Sequence, residues 1–132
     1  MKNVKFNELV KLVALLRSEN GCPWDKEQTH ESLLPSIEEE VQEVAEAINA
    51  GDKENLKEEL GDVLLNILLQ AQIAAESNDF DIDDVLETVS EKVVRRHPHV
   101  FGDKKLKNSG EVLEEWARIK KTEKNKNKKH KN

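Results

Sequence analysis

Two short acidic clusters hold the residues of this chain most capable of chemistry. They are Ile37-Glu38-Glu39-Glu40-Val41-Gln42-Glu43 and Lys57-Glu58-Glu59-Leu60-Gly61-Asp62. Glu40 and Glu43 are three residues apart, as are Glu59 and Asp62, so on helices each pair projects from one face. Between the clusters, Asn49-Ala50-Gly51-Asp52 reads as a turn. Two antiparallel helices joined there would bring four carboxylates to one point, where their repulsion calls for a cation. An oxygen-only donor set suits a hard divalent ion, Mg²⁺ before Zn²⁺, and Mg²⁺ usually binds along with phosphates. Acid-rich helix faces are more often simply solvated, so spacing alone leaves a metal site and a surface face equally open.

The elements that must position these acids are helical. Leu, Ala, Glu and Lys dominate a chain of 132 residues with five glycines and three prolines, and aromatics make up 4%. Val4, Leu9, Leu12, Val13, Leu15 and Leu16 recur at helical spacing over residues 4–18. A second helix is expected from about Ser36 to Ala50, with Thr29 or Ser32 as its cap and Ile37, Val41, Val44, Ala45 and Ile48 as its stripe. Glu40 and Glu43 flank that stripe, whereas Glu38 and Glu46 point away and read as surface.

A third helix, about Lys53 to Ser77, is apolar on two sides: Leu56, Leu60, Val63, Leu64, Ile67 and Ala71 on one, Leu65, Leu69 and Ile73 on the other. Asp62 heads the second stripe, a costly place for a carboxylate without a partner. A helix apolar on two sides is normally buried between neighbours, and in so short a chain one neighbour is expected to be another subunit. A fourth helix is expected from Ile82 to Arg96, stopped by His97-Pro98-His99, and a last one from Ser109 to Lys121. The fold class is all-α, about five helices in an antiparallel bundle completed by oligomerisation.

Charge divides the chain. The net charge is −6, but residues 120–132, KKTEKNKNKKHKN, hold seven lysines and one glutamate, leaving about −12 on residues 1–119. An acidic body disfavours nucleic acid as a partner and is consistent with a cation requirement. The basic tail, residues 120–132, is expected to be solvated and disordered. One cysteine, Cys22, excludes an intrachain disulfide and a cysteine-rich zinc site. The longest apolar stretch, Val63 to Ala75, contains Asn66, Gln70 and Gln72 and is too short to span a bilayer. A soluble, cytoplasmic protein is expected.

Beyond the acids, the longer motifs are specific. Glu39-Glu40-x-x-Glu43 followed by Glu59-Leu60-Gly61-Asp62 resembles the EExxE…ExxD signature of the all-α nucleoside triphosphate pyrophosphohydrolases. GCPWDKEQTHESL at 21–33, EELGDVLLNILLQAQIA at 58–74, VVRRHPHVFGD at 93–103 and EVLEEWARIK at 111–120 resemble segments of its MazG branch, in the same order. The resemblance covers roughly residues 5–121 and makes residues 1–119 one MazG-like domain. It implies Mg²⁺-dependent hydrolysis of a (deoxy)nucleoside triphosphate to monophosphate and pyrophosphate, with Mn²⁺ a possible substitute. By carry-over, Glu40, Glu43, Glu59 and Asp62 are the metal ligands, and Glu39 is the candidate for positioning the attacking water or holding a second ion.

The resemblance also makes Lys92 and Arg96 phosphate contacts, with Arg95 and Lys57 as further candidates, and Trp116 a base or sugar contact near Lys120. Without it, Lys92, Arg95 and Arg96 complement a helix C-terminus, and Trp116 belongs to a core stripe with Leu113 and Ile119. Trp24 is expected to pack on the first helix. Members of the family assemble as dimers or higher oligomers, so a homo-oligomer is expected. Two other classes compete. A di-iron carboxylate bundle needs Glu-x-x-His on two helices, and this chain has one match, Glu27 to His30, in a loop-like stretch. A non-catalytic helical module with a basic tail needs no site at all.

Overall fold

Three punctuation devices set the architecture of the acid-bearing hairpin. Helix α3, Leu34–Ala50, ends at Gly51, whose left-handed φ of 68° suits a residue without Cβ. The Asp52 amide donates back to the Ala47 carbonyl at 3.1 Å and the Gly51 amide to Ile48 at 3.1 Å. Asp52 then caps α4, Lys53–Glu76, its Oδ1 accepting from the Asn55 amide at 3.1 Å. One residue closes the first helix and the next opens the second, so α3 and α4 pack along each other.

The computed structural model describes residues 4–130. It is all-α among those residues, with α1 Phe6–Leu16, α2 Pro23–Glu27, α3, α4, α5 Ile82–Arg96, α6 Pro98–Phe101 and α7 Ser109–His130. That is seven helices where about five were expected. The additional two, α2 and α6, each have proline in the first turn, where a missing N–H costs nothing and the fixed φ favours helix. Helix α7 also runs past the expected end at Lys121. Lysine is a good helix former and extending an existing helix is cheap, so residues 120–130 are helical rather than irregular. Lys131 and Asn132 of the expected tail lie outside the described residues.

The chain forms two compact units, residues 1–85 and 86–132. In the first, Val13, Leu33, Leu68, Leu69 and Ile73 form the core, with Leu9, Val10, Leu64, Leu65 and Ile82 packed around them. Arg17 ties this unit together: its Nε and Nη2 donate to Glu76 at 3.0 and 3.1 Å, and Nη1 donates to the Gln28 carbonyl at 3.0 Å. Thr29 and Ser32 brace each other reciprocally in the turn before α3, rather than capping it from its own N-cap position, which is Leu33. The two-sided α4 is buried chiefly along its C-terminal half. Leu60 and Ile67 remain 52% and 47% exposed, because α1 and α3 cover only part of its circumference. Trp24, expected to pack on α1, is 58% exposed. No described helix is long and apolar enough to cross a membrane.

Candidate active site

The hairpin brings Glu40, Glu43 and Glu59 together: one carboxylate oxygen from each lies within 4.8 Å of the others. All three are half-buried, as is Asp62. Asp62 is not in the three-way cluster, but its charge is felt by Glu40 and Glu59. Its backbone carbonyl accepts from Asn66 Nδ2 at 3.1 Å. Glu38, Glu39, Glu46 and Glu58 are exposed around the cluster, so the inner acids separate from the surface ones as their spacing predicts.

The electrostatics of the three are under tension. Burial pushes Glu40 up from the ordinary carboxylate range, with Glu43 and Asp62 adding repulsion against the close contact with Glu59, which pulls it down. Glu43 is raised first by its contact with Glu59, then by burial. For Glu59 the largest influence, the contact with Glu43, lowers it, but burial and the repulsion of Glu40 and Asp62 outweigh that and the net shift is upward. Glu40 Oε2 and Glu59 Oε2 are buried with no hydrogen-bond partner. Ionised carboxylates have no proton to offer one another, so such a cluster is satisfied by taking up protons or a cation. Oxygen donors alone, two of them buried and unpaired, fit a hard divalent ion.

Lys57 does not serve the inner acids. Its Nζ pairs with Glu54 at 2.8 Å, one turn back on the exposed side of α4. An exposed i,i+3 pair contributes little, so the ammonium is held loosely.

In the second unit, α5 and α7 line a cleft of about 750 Å³. Lys92, Arg95 and Arg96 come from α5, and Arg118, Lys120, Lys124 and Lys126 from α7. The cleft therefore collects four of the cations singled out in the sequence, Lys92, Arg95, Arg96 and Lys120. One acid sits among them: Glu123 accepts from Arg95 Nε at 2.6 Å and Arg96 Nη2 at 2.9 Å, and these two guanidinium groups hold its carboxyl down at about 2. Trp116 is half-buried, its indole N–H donating to the Arg96 carbonyl at 2.7 Å and its ring edge-on to His97 at 5.4 Å. It thus secures the end of α5. Glu115, buried between Lys104 and Arg118, is likewise held down at about 2, by Arg118 first.

The chain and its fold have known relatives. A model of the MazG nucleotide pyrophosphohydrolase domain matches residues 28–101, from the turn before α3 through α6. The chain belongs to the MazG family. It is 50% identical, over 95% of its length, to a Thermotoga maritima protein named nucleoside triphosphate pyrophosphohydrolase/pyrophosphatase MazG, and covers 48% of that protein. It is 45% identical, over 88% of its length, to an Escherichia coli K12 protein named nucleoside triphosphate pyrophosphohydrolase, covering 44% of it. The chain therefore spans less than half the length of either relative. The crystal structure of a mazG-related protein from Thermotoga maritima superposes with a TM-score of 0.73 at 34% identity, covering 87% of this chain and 98% of that one. The MazG match includes both acidic motifs and the α5 cations, and stops before Trp116 and Lys120.

Three residues escaped the sequence reading. Arg17 and Glu123 are single charges with partners 59 and 28 residues away, so periodicity carries no trace of them. Asn66 registered only as a polar interruption of an apolar stretch. Its signal was its position four residues after Asp62, on the same face of α4.

Proposed function

We propose that this chain hydrolyses (deoxy)nucleoside triphosphates at the α-phosphorus, releasing nucleoside monophosphate and pyrophosphate in a Mg²⁺-dependent reaction in the cytoplasm. The observation that carries the reading is the convergence of one oxygen each from Glu40, Glu43 and Glu59 within 4.8 Å, in a cluster where Oε2 of Glu40 and of Glu59 is buried and unpaired, on a hairpin of the MazG family. Glu40, Glu43, Glu59 and Asp62 hold the metal, with Mn²⁺ an effective substitute. A divalent ion held there would supply charge neutralisation to the triphosphate and Lewis-acid polarisation to a phosphoryl oxygen.

The protein's own groups supply the rest. Glu39, exposed one position before Glu40, positions the attacking water or helps hold a second ion. Lys92, Arg95, Arg96 and Lys120 offset the charge of the phosphates, and Lys57 swings free of its exposed pairing with Glu54 to add a further cation. Trp116, its N–H held by the Arg96 carbonyl, offers its ring to the base or sugar near Lys120. Residues 1–119 work as one catalytic domain, and the open faces at Leu60 and Ile67 are covered by a second copy in a homodimer or larger assembly.

The test is a panel of the eight common ribo- and deoxyribonucleoside triphosphates with and without Mg²⁺. Pyrophosphate and monophosphate are expected in equal amounts, in the presence of metal only. Orthophosphate as the first product would move the scission away from the α-phosphorus, and no product from any nucleotide would leave the helical interaction module as the better account.

A further inference from the structure

The cleft between α5 and α7 lies wholly within the second unit, and one side chain in it runs against its charge. Seven lysines and arginines line it together with a single carboxylate, Glu123. Among the described residues, Lys92, Lys120, Lys124 and Lys126 take part in no ion pair. Arg95 and Arg96 are instead joined through Glu123, at 2.6 and 2.9 Å. The Glu123 side chain is 20% exposed, and its carboxyl is held down at about 2, by Arg96 first, so it stays ionised.

The pairing is incomplete. Each guanidinium gives Glu123 one hydrogen bond, Arg95 from Nε and Arg96 from Nη2, where an arginine can give a carboxylate or a phosphate two in parallel. Arg96 Nε is buried and has no partner among the described residues. Buried polar groups are ordinarily paired, so this donor calls for an acceptor. The Arg96 backbone is meanwhile fixed, its carbonyl accepting from the Trp116 indole at 2.7 Å. A carboxylate has two oxygens to divide between two guanidinium groups. A phosphoryl group presents three, enough to take the bonds that Glu123 now accepts and the Arg96 Nε–H as well.

We propose that Glu123 is a tethered competitor for phosphate, a carboxylate that occupies Arg95 and Arg96 in the empty cleft and is displaced when a phosphoryl group seats there. The proposal rests on the cleft being the place where the substrate's phosphates bind. An occupied arrangement favoured about ten to one raises the apparent dissociation constant of every displacing anion about tenfold. The factor is common to all of them, so it falls hardest on weak ligands. A single phosphate, as on a nucleoside monophosphate, has only the group that displaces Glu123. A chain of two or three phosphates displaces it and reaches the lysines besides. Glu123 thereby sets a threshold that a polyphosphate chain passes and a monophosphate, the reaction product included, does not.

Calorimetry of the full chain in EDTA with orthophosphate, pyrophosphate and tripolyphosphate tests this in two variants. Glu123→Gln removes the charge, whereas Glu123→Asp keeps it on a side chain one methylene too short to bridge both arginines. Pyrophosphate is expected to bind about tenfold tighter to Glu123→Gln and about threefold or more tighter to Glu123→Asp, with orthophosphate gaining by similar factors. Unchanged or weaker binding in a folded Glu123→Gln overturns the proposal and leaves Glu123 a structural brace. A gain in Glu123→Gln with none in Glu123→Asp also overturns it, because charge removal alone then accounts for the effect. Should neither variant fold, ¹⁵N NMR of the parent protein decides. Pyrophosphate should shift the Arg95 and Arg96 Nε–H signals, and signals that stay in place overturn the displacement. None of these readouts needs metal or turnover. Tighter pyrophosphate binding in both variants of a chain that hydrolyses no nucleotide would leave the displacement standing without the reaction. Turnover with no pyrophosphate or tripolyphosphate binding to any form would overturn the displacement and leave the reaction.

Discussion

Glu59→Gln should make the protein more stable without metal and less stable with it. Glu59, like Glu40, is an acid whose ionisation is coupled to the other three of the group. The clustered oxygens of Glu40, Glu43 and Glu59 form three like-charge pairs within 4.8 Å, and neutralising Glu59 leaves one. The melting temperature of the metal-free variant should therefore rise. With an ion at one hundred times its dissociation constant, the native protein gains about 2.7 kcal/mol. In a chain this size that is about 10 °C of melting temperature. Replacing one of three clustered carboxylate oxygens by an amide should weaken the ion about a hundredfold, comparable to the upper end of losses seen when even outer-shell partners are removed. At the same ion concentration the variant then gains about 0.4 kcal/mol, or one to two degrees. Thermal melts followed by circular dichroism, with EDTA and with Mg²⁺, read both effects. The two melting temperatures should cross. A variant that is less stable in EDTA, or that keeps the full Mg²⁺ shift, would refute the claim that these carboxylates are held together for a cation.

The two glycines that shape the first unit should respond differently to alanine. At Gly51 a Cβ meets nothing within 4 Å, so Gly51→Ala carries only the left-handed backbone term, about 1 kcal/mol by denaturant melts. At Gly21 a Cβ would lie 2.3 Å from the Leu15 and Leu16 carbonyl oxygens, so Gly21→Ala should cost about 2–3 kcal/mol or prevent folding. Leu33→Ala, at the best-buried leucine of the core, should cost about 2–5 kcal/mol in the same assay. Acid melts should show the stabilisation from Glu115 and Glu123. Both carboxyls are held down at about 2, so their contribution is complete above the usual carboxylate range and is lost as pH falls towards 2. Glu115→Gln should be less stable at neutral pH and lose less between pH 5 and pH 2; an unchanged acid limb would count against the ion pairs.

Much of the site was legible because its logic is local. Glu40 with Glu43 and Glu59 with Asp62 are helix-face pairs, and Gly51 followed by Asp52 is a stop and a start that any reading of helix ends would recover. The inward turn of the acids could be inferred from the apolar stripe below Asp62. The chain's departures came from interactions that local patterns do not encode. Pro98 stops the fourth helix at Arg96 as its position predicts, but it also opens a short helix of its own, as Pro23 does. The lysines after Lys121 were read as a tail on charge alone, although α7 carries them on to His130. The two apolar faces of α4 call for a neighbour beyond this chain, and Leu60 and Ile67 are 52% and 47% exposed on the part that α1 and α3 leave open. Trp116 shows the same limit: a stripe position with Leu113 and Ile119 cannot reveal that its N–H reaches a carbonyl twenty residues earlier.

The central claim is attack on the α-phosphorus, and hydrolysis in ¹⁸O-labelled water tests it most directly. With Mg²⁺ and a nucleoside triphosphate, mass spectrometry of the products should find one ¹⁸O in the nucleoside monophosphate and none in the pyrophosphate. Label in the pyrophosphate, or release of labelled orthophosphate with a nucleoside diphosphate, would contradict the account.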